Sequence, residues 1–291
     1  MRPLKKPVCA ITGAGGYVGG CIKHYLQRRG WDVLELTRQP KPGSLAAVFQ
    51  LGRELPVPAL AGALALVHCA YDFQPVRRDD IWAVNVEGAR RVLEAARAAR
   101  IERVVCISSI SAYDGCRSLY GKAKLDIERL ALGNGALVVR PGLVYGNHPQ
   151  AMFGKLVAQV RKSSVLPIFG DGSQIQYLVH NEDLAAFILR YAEGQSRPFA
   201  RPLTAAHEQP WTFRELLLEI ARRLNKRPHF IRLPWRLVWA SLKIAEVGGL
   251  RLNFRSDSLV NLMSQNPKPD LSFNAGAGLV CRPLQIETLS L

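Results

Sequence analysis

A chain of 291 residues, 48% of them hydrophobic, can bury one large core or two modest ones, and wholesale disorder is excluded. Its 39 Lys+Arg against 23 Asp+Glu leave a formal net charge of +16, which favours anionic partners. Six cysteines without a C-x-x-C pair and six histidines without ligand spacing imply no metal, and charges interrupt every apolar run before the roughly 18 residues a membrane span needs.

Met1-Arg2-Pro3-Leu4-Lys5-Lys6-Pro7 runs straight into the first strand with no secretory pattern, so a reduced, cytoplasmic setting is expected. The run Val8-Cys9-Ala10-Ile11-Thr12 then meets closely spaced glycines, and Cys21 to Leu26 looks helical. Gly13, Gly16 and Gly19 fit G-x-x-G-x-x-G between a strand and a helix, the context of a dinucleotide-binding turn. Such glycines allow a tight turn, backbone approach to a pyrophosphate and close strand–helix packing.

Trp31 to Thr37 reads as the second strand, with Arg38 at its end, where the adenine ribose is recognised. An acid there would bind the ribose hydroxyls of NAD, whereas an arginine suits the 2′-phosphate of NADP, so NADP is favoured over NAD. Glu35 is read as mid-strand and facing a neighbouring helix. Ala46 to Phe49 is a weak third strand. Leu64 to Ala70, Arg103 to Ser108 and Ala136 to Arg140 are continuous apolar runs, as in strands covered on both faces. Ile81 to Arg100 reads as one amphipathic helix. The alternation implies an α/β fold, a Rossmann-type doubly wound parallel sheet, with a smaller, irregular C-terminal substrate lobe. The division is 1–146 plus 176–195 for the dinucleotide-binding domain and 147–175 plus 196–291 for the lobe. Pro167 to Gly172 reads as a loop and Leu184 to Tyr191 as a helix.

Tyr120 precedes Lys124 by four residues in a helical stretch, which puts both on one helix face. An adjacent ammonium favours the phenolate of such a tyrosine, and the lysine can also hold ribose hydroxyls. Ser108, Ser109 and Ser111 follow a strand end, where a hydroxyl could bond a substrate oxygen.

Together these residues resemble the extended short-chain dehydrogenase/reductase family of nucleotide-sugar epimerases, dehydratases and reductases, from Val8 to about Tyr191. Thr12 to Gly19 is like its cofactor loop, Asn85-Val86-Glu87-Gly88 like its Asn-Val-x-Gly helix and Ser108 to Tyr113 like its serine strand end. Arg140 to Gly146 looks like the strand lining the nicotinamide, and Leu178 to Asp183 like a later His/Val-Asp-Asp segment. The resemblance implies Ser109, Tyr120 and Lys124 as the catalytic set. It implies cofactor contacts from Gly13, Gly16, Tyr17, Val18 and Gly19, with Cys69, Ala70 and Tyr71 at the next strand end. Asn85, Ser108, Pro141 and Leu143 complete that list with Arg38, Tyr120 and Lys124. Ser109, Tyr145 and His180 would touch substrate.

Three departures stand out from the family pattern. Only eleven positions separate Ser109 from Tyr120, Gln50 stands where an acid usually meets adenine, and Tyr71 replaces a small residue. The implied activity is NAD(P)-dependent epimerase, dehydratase or reductase chemistry on a sugar, linked to a nucleotide in the family's manner. The alternatives are a reductase of a hydrophobic hydroxy or keto compound at a membrane surface, or a weakly catalytic NADP-binding protein.

The charge favours an anionic small molecule, no motif points to nucleic acid, and the family resemblance implies a homodimer paired through the Ile81–Arg100 and Ala123–Leu132 helices. The stretch from Leu233 to Ile244 mixes tryptophans and aliphatics with Arg236 and Lys243. It is read as a helix packing on the lobe's own core, in preference to a lid or a membrane-interface helix.

Overall fold

The computed structural model describes residues 6–250, 252 and 254–286; the opening residues 1–5, expected to lead into the first strand, lie outside these. Strand β1 (Val8–Thr12), helix α1 (Tyr17–Arg28), β2 (Asp32–Thr37), β3 (Ala46–Val48) and β4 (Ala63–His68) open the chain. Next come α2 (Arg78–Ile81), a π-helical stretch (Trp82–Val86), α3 (Glu87–Ala98), β5 (Arg103–Ile107), α4 (Leu119–Gly133), β6 (Leu137–Pro141) and β7 (Leu143–Tyr145). Helix α5 (Ala151–Lys162), β8 (Val165–Phe169), β9 (Ile175–Gln176), β10 (Leu178–His180), α6 (Asn181–Ala192) and β11 (Leu203–Ala205) follow. The rest is β12 (Trp211–Thr212), α7 (Phe213–Arg223), β13 (His229–Leu233), α8 (Trp235–Val247) and α9 (Ser256–Met263).

The central sheet has seven strands in the order β11-β6-β5-β4-β1-β2-β3, all parallel. Alternation along β1 sends Cys9 and Ile11 to the layer of α1 and α6, and Ala10 to that of α3 and α4. Burial on both faces is why these strands read as unbroken apolar runs. A third cluster, including Phe153, Leu166, Phe213 and Leu216, forms the core under the remaining elements.

The structure differs from the sequence reading at four places. The expected helix from Ile81 starts earlier, at Arg78, and widens to a π turn that holds buried Asn85. Leu203–Ala205, in the segment assigned to the lobe, is the edge strand of the main sheet beside β6. Pro167 to Phe169 is strand rather than loop, paired in parallel with β13. Pro167 is tolerated because a two-stranded pair is all edge, so its missing N–H costs little. Helix α8 has no fully buried residue; it packs half-buried along α9 and contributes nothing to the lobe's main apolar cluster, where it was expected. No helix among the described residues is long and apolar enough to cross a membrane.

Candidate active site

The glycine turn is shaped by backbone contacts. Gly13 adopts φ +71°, and a Cβ there would lie 2.8 Å from the amide nitrogen of Ala70. A Cβ on Gly19 would lie 2.3 Å from the carbonyl oxygen of Gly13, whereas one on Gly15 would meet nothing within 4 Å. The turn is therefore packed on its inner side and open on its outer side. Gly16, the residue before α1, offers no side-chain cap, and no acid stands in the first turn, so the Tyr17, Val18 and Gly19 amides keep their positive field. That cradle fits a dinucleotide pyrophosphate. Arg38 is exposed just past β2, while Lys23 of α1 pairs with Glu35 at 3.1 Å, so Glu35 does face a helix. Burial, followed by neighbouring Cys21, pushes the Tyr17 phenol up to about 12.

Thr12 ties β1 to β4. Its hydroxyl accepts the amides of Cys69 and Ala70 at 3.2 Å each and lies 2.8 Å from His68 Nδ1. With both amides donating to it, the hydroxyl gives its own proton to Nδ1, which leaves the ring proton on Nε2, buried without a partner. Burial, then the charge of Lys124, pushes His68 down to about 3. The unfolded chain binds that proton near pH 6.5 and the folded chain does not, so stability falls as pH drops from 6.5 toward 3. From this group alone, unfolding in urea should lose about 2 kcal/mol between pH 7 and pH 5. His68→Asn should remove that share of the slope; an unchanged slope would mean that His68 is charged in the fold. Burial also lifts the Cys69 thiol to about 12, so it packs as a neutral group.

Helix α4 carries the expected pair. Lys124 is 3% exposed, and its Nζ donates to the Ile107 carbonyl at 2.9 Å, fastening α4 to the end of β5 two residues before Ser109. The half-buried Tyr120 ring meets Tyr71 edge-on at 5.0 Å and stacks on Phe73 at 5.6 Å. Lys124 Nζ lies 5.0 Å from the Tyr71 ring centre. Burial, then Tyr120 nearby, holds the Tyr71 phenol above its ordinary range, so Tyr71 stays protonated. Ser109 is half-buried, and its hydroxyl accepts the Ser111 amide at 3.2 Å, which leaves its own proton to donate. The short segment between Ser109 and Tyr120 closes tightly: a Cβ on Gly121 would lie 2.6 Å from the Ser111 carbonyl oxygen.

Other residues expected at the cofactor or the substrate have partners within the fold. Ser108 is buried and donates its hydroxyl to Glu128, which Arg140 clasps through two bonds of 2.7 and 2.6 Å. Asn85 accepts the Asp72 amide at 2.7 Å and donates to the Asp72 and Ile81 carbonyls, so it holds the turn after Tyr71. The Pro141 carbonyl accepts the Ile110 amide, and the Leu143 amide donates to Tyr177. Tyr145 and His180, expected at the substrate, are 1% and 6% exposed and pack edge-on at 5.2 Å. The Tyr145 hydroxyl donates to Pro283 at 3.0 Å, and His180 Nδ1 caps α6 by accepting the Glu182 amide. They are the paired last residues of β7 and β10, with Tyr145 in the lobe's core, which the residue types alone do not reveal.

Two residues at the site carry no signal in the sequence. The Asp257 carboxylate accepts the amides of Leu119 and Tyr120 at 2.7 and 3.0 Å, and Ser118 caps the same helix end by accepting the Gly121 amide. Arg255 donates to the carbonyls of Phe73 and Pro75. Each reaches its partner across more than 130 residues of chain, so no local pattern marks it.

A parallel sheet in the order 3-2-1-4-5-6, a glycine turn and a Tyr-x-x-x-Lys helix behind a serine-ended strand define an enzyme of the short-chain dehydrogenase/reductase type. The chain belongs to the NAD dependent epimerase/dehydratase family, whose profile matches residues 9–199. It is 29% identical to a ceramide reductase of Caulobacter vibrioides over 244 residues, covering 80% of this chain and 76% of the relative. To the dTDP-4-dehydro-6-deoxy-D-allose reductase of Streptomyces bikiniensis it is 27% identical, covering 81% and 87%. The solved structure of MoeE5 in complex with UDP-glucuronic acid and NAD is 25% identical, with a TM-score of 0.67 over 78% of this chain and 85% of that one.

Proposed function

We propose that this enzyme interconverts a hydroxyl and a carbonyl on a nucleotide-linked sugar, with Tyr120 as acid/base, and that it prefers NADP. What carries the reading is the pairing on α4 of half-buried Tyr120 with buried Lys124, whose ammonium is fastened beside the serine-ended strand. The dinucleotide, when bound, supplies or accepts the hydride. In the reducing direction the Tyr120 phenol gives its proton to the carbonyl oxygen as that oxygen gains charge, and Ser109 donates a hydrogen bond to the same oxygen. In the oxidising direction Tyr120 takes the hydroxyl proton. Lys124 holds the cofactor ribose, while Asp257 and Ser118 fix the first turn on which Tyr120 sits.

The sugar-nucleotide class is supported by the UDP-glucuronic acid bound to MoeE5 and by the dTDP-sugar reductase. The net charge of +16 suits a diphosphate substrate. A second reading, a hydrophobic keto or hydroxy substrate, is favoured by exposed Phe73 against the Tyr120 ring and by the ceramide reductase. Turnover with a panel of sugar nucleotides and a panel of lipid ketones separates the two: activity confined to the lipids would remove the first.

Arg38 sets the cofactor prediction. Arg38→Ala should weaken NADP binding about tenfold in a calorimetric titration and leave NAD unchanged, since only NADP brings a phosphate to that arginine. Equal losses for the two dinucleotides would overturn the NADP preference.

A further inference from the structure

Helix α8 takes no part in the chemistry above, yet its outer face is unusual for a helix in water. Leu237, Ile244 and Val247 are 67%, 74% and 81% exposed. Leu237 and Ile244 stand two turns apart on one line, with Ala240 between them and Val247 beside them. Arg236 and Lys243, also seven positions apart, run along the flank of that apolar line. The helix's one carboxylate faces inward: the Glu246 side chain is 4% exposed and accepts the amide and hydroxyl of Ser256 at 2.7 Å each. Strand β13, just before it, adds exposed Ile231 and Arg232. Residues 226–245 hold five Lys+Arg and no Asp or Glu. The face therefore offers aliphatic side chains flanked by two exposed cations, of which Lys243 also lies 3.9 Å from Glu246.

The helix is also joined to the mouth of the site. Glu246 fixes Ser256; the next residue, Asp257, carries the amides that begin the Tyr120 helix. Arg255, on the other side of Ser256, holds the loop of Phe73, a ring that is 64% exposed and stacked on Tyr120. A second copy on this face would set Arg236 and Lys243 against cations of the same stretch, which opposes self-association. An anionic bilayer complements it: the cations meet the headgroups, and Leu237, Ile244 and Val247 enter the boundary with the acyl chains.

We propose that α8, with the end of β13, is an interfacial helix that seats the mouth of the active site on an anionic lipid bilayer. The docking goes beyond the reaction at Tyr120 and does not depend on which substrate is used.

The full chain is mixed with sucrose-loaded vesicles of phosphatidylcholine alone, or with about 30% phosphatidylglycerol, and sedimented at low and high salt. The protein should partition at least about tenfold better onto the anionic vesicles, and less so at high salt. Leu237→Glu with Ile244→Glu should reduce that binding about tenfold or more, and Arg232→Glu with Arg236→Glu should abolish the preference for the anionic lipid. All four positions face solvent, so melting temperature and dinucleotide affinity should match the parent, and those two readings separate a failed docking from a failed active site. Absent vesicle binding, or binding that the variants leave intact, would overturn the proposal. So would a dimer in light scattering that Leu237→Glu with Ile244→Glu dissociates while no vesicle is bound, since that result assigns the face to a second copy.

Discussion

Replacing Tyr120 by phenylalanine should lower turnover about 10²- to 10⁴-fold while leaving dinucleotide affinity unchanged. The substitution removes one oxygen and keeps the ring that meets Tyr71 and stacks on Phe73, so the packing at the mouth is retained. The nearby Tyr71 is the control. Its phenol is buried and held protonated above the ordinary range, so Tyr71→Phe should leave most of the turnover in place. Steady-state rates for the two variants, with calorimetric affinities for the cofactor, decide the assignment. If Tyr120→Phe keeps its turnover, the proton passes through another group and the assigned role is lost.

An alanine at Gly19 should cost about 1–3 kcal/mol of stability and weaken dinucleotide binding well over tenfold. The new Cβ would lie 2.3 Å from a backbone oxygen of the same turn, so relief must come from moving the cradle itself. Gly15→Ala supplies the comparison, because its Cβ would meet no protein atom within 4 Å. Its stability should match the parent within about 0.5 kcal/mol. Any loss of dinucleotide affinity in Gly15→Ala would then report a Cβ in space the ligand needs. Denaturant unfolding and dinucleotide titration of both variants make the test; a stable, tightly binding Gly19→Ala would show that the turn is not a phosphate cradle.

Much of this molecule was legible from local patterns, and the particular residues show why. The run from Val8 to Gly19 specified strand, turn and helix, because β-burial on two faces, positive φ at Gly13 and close helix packing at Gly19 each demand a residue type at one spacing. Tyr120 and Lys124 were legible for the same reason: a helix repeats every 3.6 residues, so four positions place two side chains together. The orientation of Glu35 toward α1 also agrees with the sequence reading. Ser108 was harder, since a serine beside a strand end looks the same whether it faces a ligand or, as here, the buried Glu128.

The sequence by itself determined the order of strands and helices as far as β6, the dinucleotide turn and the Tyr-x-x-x-Lys helix, because each is encoded by contacts within a few residues. Only the tertiary structure decided that Leu203–Ala205 closes the main sheet and that Tyr145 and His180 are buried together. It alone brought Asp257 and Arg255 to the Tyr120 helix and the aromatic mouth, and left the apolar line of α8 facing outward. An amphipathic pattern states that one helix face is apolar, not what covers it. That is fixed by partners more than a hundred residues away, where no local spacing can reach.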